Sequence, residues 1–313
     1  MMSAWHRFDS SDRHNENVAR RPGGYRNVLR FRQRRQQPVD TGKIAVVLSG
    51  GGNRGVAQVG MLRALVDAGI RPDVVVGTSV GSLNGAAFAR DPSHAGIDDL
   101  EAVWQGLSRE RLFGDGRLTR AWRLASRQSY IFGSEGLADV IDGFGVESFS
   151  ELAVPLRVVA CDLASGAEAI FAAGPLKPAL LGSCALPGVY APVEHDGCLL
   201  VDGGVINNVP VSHALAGPVE QVYVCDASAD LDDQVPRSAI EVIMRSFAIA
   251  RHGRARRDHE RYESDPRAVF LPRVVDQRRP FDFSGASELI DKAYTASRDF
   301  LASRRAAASI ASG

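Results

Sequence analysis

The stretch Asp73-Val74-Val75-Val76-Gly77-Thr78-Ser79-Val80-Gly81-Ser82-Leu83-Asn84 decides the fold of this chain. Its three consecutive valines are typical of a buried strand, because β-branched side chains pack well on a pleated sheet. The residues after Gly81 include Leu83 and several alanines, which favour a helix. The stretch therefore predicts a strand that turns sharply into a helix.

A G-x-S-x-G pattern, Gly77-Thr78-Ser79-Val80-Gly81, falls on that turn. The pattern alone occurs by chance in many chains, and the strand-to-helix context gives it meaning. A sharp turn demands backbone angles that a Cβ resists, and the neighbouring helix must pack closely against it. Both reasons explain why glycines stand at positions 77 and 81. We expect this turn to be a nucleophile elbow that places the Ser79 hydroxyl at a helix N-terminus, where partial positive charge favours a developing anion.

A second glycine-rich turn precedes the first along the chain. The apolar residues 43–48 predict a strand, and the spacing of apolar residues over 56–68 predicts an amphipathic helix. Between them lies Gly50-Gly51-Gly52-Asn53-Arg54-Gly55. Because the carboxyl ends of adjacent parallel strands lie side by side, we expect this loop to face Ser79.

Two interpretations of the glycine loop compete. Gly50, Gly52 and Gly55 fit G-x-G-x-x-G, the fingerprint of a non-catalytic dinucleotide-binding domain. That fingerprint expects an acidic residue at the end of the second strand, where the turn of Ser79 stands instead. Alternatively the loop is an oxyanion hole, because glycines expose their N–H groups and the first helical turn adds more. The second interpretation explains both turns together, and we favour it.

A serine nucleophile needs a base, and the sequence offers a carboxylate more readily than an imidazole. Asp202 ends a short predicted strand at 199–201 and precedes Gly203-Gly204, and strand ends converge on one rim in such a topology. Its pKa, ordinarily about 3.9, should rise in an apolar site and make it a better base. None of the seven histidines follows a strand end, although a histidine base at His195 or His213 remains an alternative.

Composition excludes several functions. The chain has 313 residues, no net charge and 24% charged residues, so no overall field favours nucleic acid as a partner. No apolar run approaches the roughly 18 residues of a membrane span, and we expect no signal peptide. The cysteines lack the spacing of metal ligands and read as reduced, mostly buried thiols of a cytoplasmic protein. They are Cys161, Cys184, Cys198 and Cys225.

Three regions are predicted. Residues 1–40 carry nine arginines against four acidic residues, a local charge of +5, and read as a flexible basic tail in which 25–32 can form a short helix. A solvated extension is the favoured interpretation, and a weak peripheral anchor to anionic membrane lipid is the alternative. Residues 41–305 form one domain, and 306–313 form a C-terminal tail.

Alternating elements complete the predicted domain and indicate an α/β fold. The apolar and arginine-rich stretch 112–132 is either a lid or lipid-facing groove, or ordinary helix packing. Further helices are predicted at 98–107, 136–141, 176–181, 239–257 and 286–301, and further strands at 156–161, 168–171, 221–225 and 268–271.

Taken in order, these motifs resemble the patatin-like phospholipase family. The matching pieces are the loop Gly50–Gly55, the turn around Ser79, and Asp202-Gly203-Gly204 with its extension through Asn207-Asn208-Val209-Pro210. Asp162 with its following turn, and the stretch 183–193 with its two prolines, are also similar to the family. The similarity covers roughly residues 43–301. Gln58 stands where a histidine or another residue is often seen in the family, which puts little in doubt.

The resemblance implies a three-layer α/β sandwich with a central, mostly parallel sheet. It also implies a serine acyl hydrolase acting on acyl lipids, with Ser79 as nucleophile, Asp202 as base and the glycine loop as oxyanion hole. Neither a metal nor a cofactor is needed. A catalytically silent lipid-binding relative is a further alternative, against which stands the presence of every expected catalytic residue.

Overall fold

The computed structural model describes residues 44–114, 130–228, 235–236, 239–276, 278–279 and 281–311. The described strands are β1 (Ile44–Leu48), β2 (Val74–Thr78), β3 (Leu156–Asp162), β4 (Glu168–Phe171), β5 (Val193–His195), β6 (Cys198–Asp202), β7 (Gln221–Cys225) and β8 (Ala268–Phe270). The described α-helices are α1 (Val56–Asp67), α2 (Val80–Arg90), α3 (His94–Gln105), α4 (Arg109–Phe113), α5 (Glu135–Asp142), α6 (Leu176–Ser183), α7 (Val211–Leu215), α8 (Ala239–Tyr262) and α9 (Ala286–Ala311).

The strand β1 lies at the centre of a mixed, mostly parallel sheet. It pairs in parallel with β2 on one side and with β7 on the other, and β7 pairs in parallel with β8. Successive side chains of a strand point to opposite faces. Accordingly, Val46 and Leu48 join the core on one face, and Ala45 and Val47 join the core on the other. Helices cover both faces, as the predicted three-layer architecture requires.

The strand β3 has three partners, and this arrangement positions the candidate site. Its first half pairs in parallel with β2, with Val159 opposite Thr78. Its last residues pair in antiparallel fashion with β6, with Ala160 opposite Asp202. The hairpin strand β4 also pairs with β3 in antiparallel fashion. The ends of β2 and β6 therefore meet at neighbouring residues of β3.

Tight helix packing secures one face of the sheet. The helix α1 lies against α9, and a Cβ on Gly60 would collide with the carbonyl of Ile290. Ile290 is fully buried and belongs to the larger core. Close backbone approach at this glycine lets the last helix close the domain over the first.

Several predicted boundaries need correction. The last helix continues to Ala311, so residues 306–311 are helical rather than a tail, because Ala306, Ala307 and Ala308 are strong helix formers. The helix predicted at 98–107 begins at His94, where the Ser93 hydroxyl accepts a hydrogen bond from the Gly96 N–H at 3.4 Å and caps the helix. The helix α8 runs to Tyr262, five residues past its predicted end.

Other predictions lie wholly or partly outside the described residues. They include the basic tail at 1–40, its short helix at 25–32 and most of the stretch 112–132. All four cysteines are buried and free, as predicted. Over the described ranges, the helices include none that is both long and apolar enough to cross a membrane.

Candidate active site

Ser79 occupies the turn between β2 and α2 in a strained backbone conformation. Its φ of 54° and ψ of −129° lie outside the regions that non-glycine residues ordinarily adopt. The Ser79 carbonyl accepts hydrogen bonds from the Ser82 N–H at 2.8 Å and the Ser82 hydroxyl at 2.6 Å. The first turn of α2 therefore holds the strained residue, with its hydroxyl at the helix N-terminus.

The two glycines of the turn are required by close packing. A Cβ on Gly77 would collide with the carbonyl of Gly81, and a Cβ on Gly81 would collide with the carbonyl of Leu48 at the end of β1. Neither glycine has a positive φ, since Ser79 itself takes that conformation. The predicted need for unusual angles at the glycines was wrong, and the predicted need for close packing is confirmed.

Ser79 and Asp202 form a direct hydrogen bond. The Ser79 hydroxyl donates to Asp202 Oδ2 at 2.7 Å. The second carboxylate oxygen, Oδ1, accepts from the Gly204 N–H at 2.7 Å and is thereby fixed in orientation. The sequence predicted that the two side chains meet, but for a partly wrong reason. Asp202 ends an antiparallel strand that meets β2 end to end, whereas the prediction assumed parallel strands with a common rim.

The environment of Asp202 shifts its proton affinity. Only 3% of the residue is exposed, and this burial raises the pKa of the carboxyl above its usual range. The hydrogen bonds from Ser79 and Gly204, together with the charge of Arg251, oppose the pKa rise but do not cancel it. A carboxylate with a raised pKa is a stronger base than an exposed aspartate.

The glycine loop faces Ser79, but not all of its N–H groups are available. The Gly50 N–H donates to the Asn208 carbonyl at 2.9 Å, and the Arg54 N–H donates to the Gly51 carbonyl at 3.3 Å. Among the described residues, the N–H groups of Gly51, Gly52 and Asn53 have no acceptor. The loop therefore uses the N–H groups of Gly50 and Arg54 to hold its shape, which leaves those of Gly51, Gly52 and Asn53 as candidate oxyanion donors within the predicted loop Gly50–Gly55.

The Asn53 side chain ties the glycine loop to a distant segment. Its amide nitrogen donates to the Arg279 carbonyl at 3.1 Å and the Asp282 carbonyl at 2.8 Å. Phe281 and Phe283, which flank Asp282, both line the cavity beside Ser79. No local sequence pattern predicts these hydrogen bonds, since they join residues more than 220 positions apart.

Two buried polar side chains support the turn and were not predicted. The Ser183 hydroxyl accepts from the Ser79 N–H at 2.9 Å and donates to the Val159 carbonyl at 2.7 Å. Gln58 donates to the Ser49 carbonyl at 2.9 Å and accepts from the Asn84 amide at 2.8 Å. Gln58 thus links the residue before the glycine loop to helix α2. The glutamine at this position, where the family often has a histidine or another residue, is accommodated by these hydrogen bonds.

An apolar cavity of about 140 Å³ opens at Ser79. Its polar end is formed by Ser79, Asn53, Asp202 and Arg251. The rest of its wall is mostly apolar and includes Leu83, Leu100, Val103, Trp104, Leu107, Leu112, Phe113, Leu137, Val140, Phe144, Leu186, Tyr190, Phe281 and Phe283. Leu112 and Phe113 come from the stretch 112–132, for which a lid or lipid-facing groove and ordinary helix packing were the two predictions. Both residues belong to the short helix α4, and both also line the cavity.

The two alternative histidines lie elsewhere and have other contacts. His213 Nε2 is 2.7 Å from Glu168 Oε2, and the His195 ring packs against Phe171 with centroids 5.0 Å apart. Ser79 has Asp202 as its hydrogen-bonding partner instead. The glycine loop also fits a dinucleotide poorly, since Gly50 packs between Asn208 and Ser79.

Fold and site together define an α/β protein with a serine–aspartate pair at the mouth of an apolar cavity. The chain belongs to the patatin-like phospholipase family, whose profile matches residues 46–215, more than half of its 313 residues. The match contains the glycine loop, Ser79 and Asp202.

Curated relatives agree with this assignment, and one solved structure shares the fold. The lysophospholipase NTE1 of Pyricularia oryzae is 27% identical over 285 residues, which cover 82% of this chain and 18% of the relative. That of Mycosarcoma maydis is 32% identical over 200 residues, covering 62% of this chain and 10% of the relative. This chain thus spans less than a fifth of either relative. The crystal structure of VipD from Legionella pneumophila shares the fold, with a TM-score of 0.51, 14% identity, and 84% of this chain and 67% of that chain covered.

Proposed function

We propose that this chain is a serine acyl hydrolase that cleaves fatty acyl esters of lipids, of the phospholipase A or lysophospholipase type. The observation that carries the proposal is the 2.7 Å hydrogen bond from the Ser79 hydroxyl to buried Asp202, at the mouth of an apolar cavity. Membership of the patatin-like phospholipase family and the similarity to lysophospholipases support it.

In the first step, Ser79 Oγ attacks the carbonyl carbon of the acyl ester. Its proton passes to Asp202 Oδ2 along the existing hydrogen bond. Negative charge then develops on the carbonyl oxygen, and the N–H groups of Gly51, Gly52 and Asn53 are the donors placed to stabilise it. Loss of one such donor typically costs roughly 3 kcal/mol of transition-state stabilisation.

The tetrahedral intermediate then collapses, and protonated Asp202 gives its proton to the departing alkoxide. The products are an alcohol or deacylated lipid and an acyl-enzyme on Ser79. Water then loses a proton to Asp202 and attacks the acyl carbon. The bond from the acyl carbon to Ser79 Oγ breaks, the fatty acid is released, and Asp202 returns the proton to Ser79 Oγ along their hydrogen bond. One carboxylate serves as base and acid in turn, so no histidine is required.

The cavity favours one acyl chain near the serine. Its volume of about 140 Å³ is close to that of an apolar cavity that holds one benzene molecule. Its wall offers few polar partners beyond the serine end, which suits a hydrocarbon and disfavours a sugar or nucleotide. A single-chain lysophospholipid is the substrate that we favour within the lipid class, because the relatives similar to this chain are lysophospholipases.

The test is fatty acid release from a lysophospholipid by wild type, Ser79→Ala and Asp202→Asn. We expect release by the wild type and none above background by either folded variant. Full activity in Ser79→Ala would overturn the proposal. A protein that binds a dinucleotide saturably, and hydrolyses no ester, would instead favour the alternative interpretation of the glycine loop.

A further inference from the structure

Arg251 projects from α8 into the candidate active site. Its side chain lines the cavity together with Ser79, Asp202 and Asn53. The guanidinium lies 5.7 Å from the centroid of the Phe247 ring on the same helix. Arg251 lies outside the sequence motifs that mark the predicted site.

Two nearby arginines of α8 have carboxylate partners, whereas Arg251 has none among the described residues. Arg254 lies 3.7 Å from Asp258, and Arg256 lies 3.7 Å from Glu260. Within the described ranges, no hydrogen-bond acceptor or carboxylate lies within bonding distance of the Arg251 guanidinium. Its five N–H donors therefore face the cavity end without a fixed protein partner.

The charges around Arg251 do not compensate it fully. Asp202 attracts it but has both carboxylate oxygens bound to Ser79 and Gly204. Asp226 also attracts it, while its own oxygens contact the Ser228 N–H and Arg273. Arg54, the third charged neighbour, repels it.

A partly buried cation whose neighbouring carboxylates are already bound to other groups is costly unless a further anion joins it. Burial lowers the pKa of the Arg251 guanidinium, but an arginine stays charged at neutral pH. A guanidinium presents a planar fork of donors that matches the oxygens of a phosphate. The cavity beside Ser79 thus combines a mostly apolar wall with an anion-seeking group.

We propose that Arg251 binds the phosphate of a phospholipid headgroup and so makes the site selective for phosphorylated acyl esters over neutral ones. The proposal rests on the acyl hydrolase function proposed above and names the substrate feature recognised on the leaving-group side of Ser79. Arg251 acts as a specificity-determining residue, and the ester chemistry remains with Ser79 and Asp202.

The experiment compares two esters with the same acyl chain, a lysophosphatidylcholine and a monoacylglycerol. For Arg251→Ala, with both rates measured on the pH plateau above the acid limb, we expect kcat/KM on the lysophospholipid to fall about 10- to 100-fold more than kcat/KM on the monoacylglycerol, as for loss of a charge-assisted contact. Arg256→Ala removes the same charge from the same helix at a side chain that is 70% exposed, and both rates should stay unchanged.

Equal losses on both esters would overturn the proposal, because Arg251 would then act through Asp202 or through folding. The acid limb of both pH–rate profiles should move to higher pH in Arg251→Ala, because loss of this charge raises the pKa of Asp202, and the comparison is therefore made on the plateau above the limb. No loss on either ester would overturn it as well.

A binding measurement separates this inference from the proposed reaction. We expect Ser79→Ala to bind lysophosphatidylcholine at least tenfold more tightly than Ser79→Ala combined with Arg251→Ala, with equal monoacylglycerol binding. This result would support the headgroup contact even for a protein that hydrolyses neither ester. Equal affinities of the two variants for the lysophospholipid would refute it. Inorganic phosphate that bound as tightly as the lysolipid would assign Arg251 to free phosphate, against the proposal.

Discussion

Ser79 and Asp202 meet because the strands that carry them end at neighbouring residues of β3. Thr78, just before Ser79, lies opposite Val159, and Asp202 lies opposite Ala160. The strands approach from opposite directions, since β2 runs parallel to β3 and β6 runs antiparallel. The register of the sheet therefore brings the two side chains close enough for their 2.7 Å hydrogen bond.

The activity should depend on pH through Asp202. Burial raises the pKa of this carboxyl, and only its ionised form accepts the Ser79 proton. The rate should therefore rise with increasing pH, with an acid limb above the ordinary aspartate pKa of about 3.9. The profile is measured with a short-chain p-nitrophenyl ester. His213→Gln should leave the limb in place, and its disappearance in that variant would point to a histidine base.

Removing the charge of Asp202 should stabilise the fold while abolishing activity. A carboxyl whose pKa is higher in the folded than in the unfolded state destabilises the fold once it is ionised. This penalty is absent below the unfolded pKa of about 3.9 and complete above the folded pKa. Asp202→Asn should accordingly gain stability relative to wild type as pH rises, measured by urea unfolding at pH 4 and pH 7. An equal difference at both values would contradict the raised pKa.

Substituting Gly77 should damage the fold, whereas substituting a glycine with open surroundings should not. A methyl group on Gly77 collides with the backbone of Gly81, and we expect Gly77→Ala to cost more than about 2 kcal/mol of unfolding free energy. Gly253 lies within α8 and has no atom within 4 Å of an added Cβ. Gly253→Ala should add roughly 0.5–1 kcal/mol, since alanine is the better helix former. Equal effects in thermal unfolding would refute the packing argument.

Cutting the link between the glycine loop and the 281–283 segment should weaken catalysis without removing the nucleophile. Asn53→Ala keeps the backbone N–H but loses two hydrogen bonds to the carbonyls of Arg279 and Asp282. Each is worth about 0.5–1.5 kcal/mol. We expect a 10- to 100-fold lower kcat/KM, well above the residual rate of Ser79→Ala. Wild-type kinetics in Asn53→Ala would show that the link does not shape the site.

The sequence predicted the parts of this site that depend on local patterns. A glycine-rich loop, a serine on a strand-to-helix turn and an aspartate at a strand end are each visible within a few residues. The pairing of Ser79 with Asp202 was also predicted, although the direction of β6 was not. Five residues at 198–202 look the same whether their strand runs parallel or antiparallel to its neighbour.

The remaining features depend on contacts between distant parts of the chain. Ser183, Arg251 and the link from Asn53 to Asp282 follow no local pattern, because serine, arginine and asparagine occur at many exposed positions. The hydrogen bonds that shape the glycine loop also required the structure, since the Gly50 N–H donates to the carbonyl of Asn208, 158 residues away. Local pattern thus identifies the reacting groups, and tertiary contacts determine which neighbours support them.

The most direct test of the account is the site of covalent labelling by a fluorophosphonate, an acylation-mimicking reagent for activated serines. Mass spectrometry of the digested wild-type protein should find a single adduct on Ser79. The Asp202→Asn variant, folded by circular dichroism, should label at least 100-fold more slowly. An adduct on another serine, or undiminished labelling of Ser79 in Asp202→Asn, would contradict the central claim that Asp202 activates Ser79.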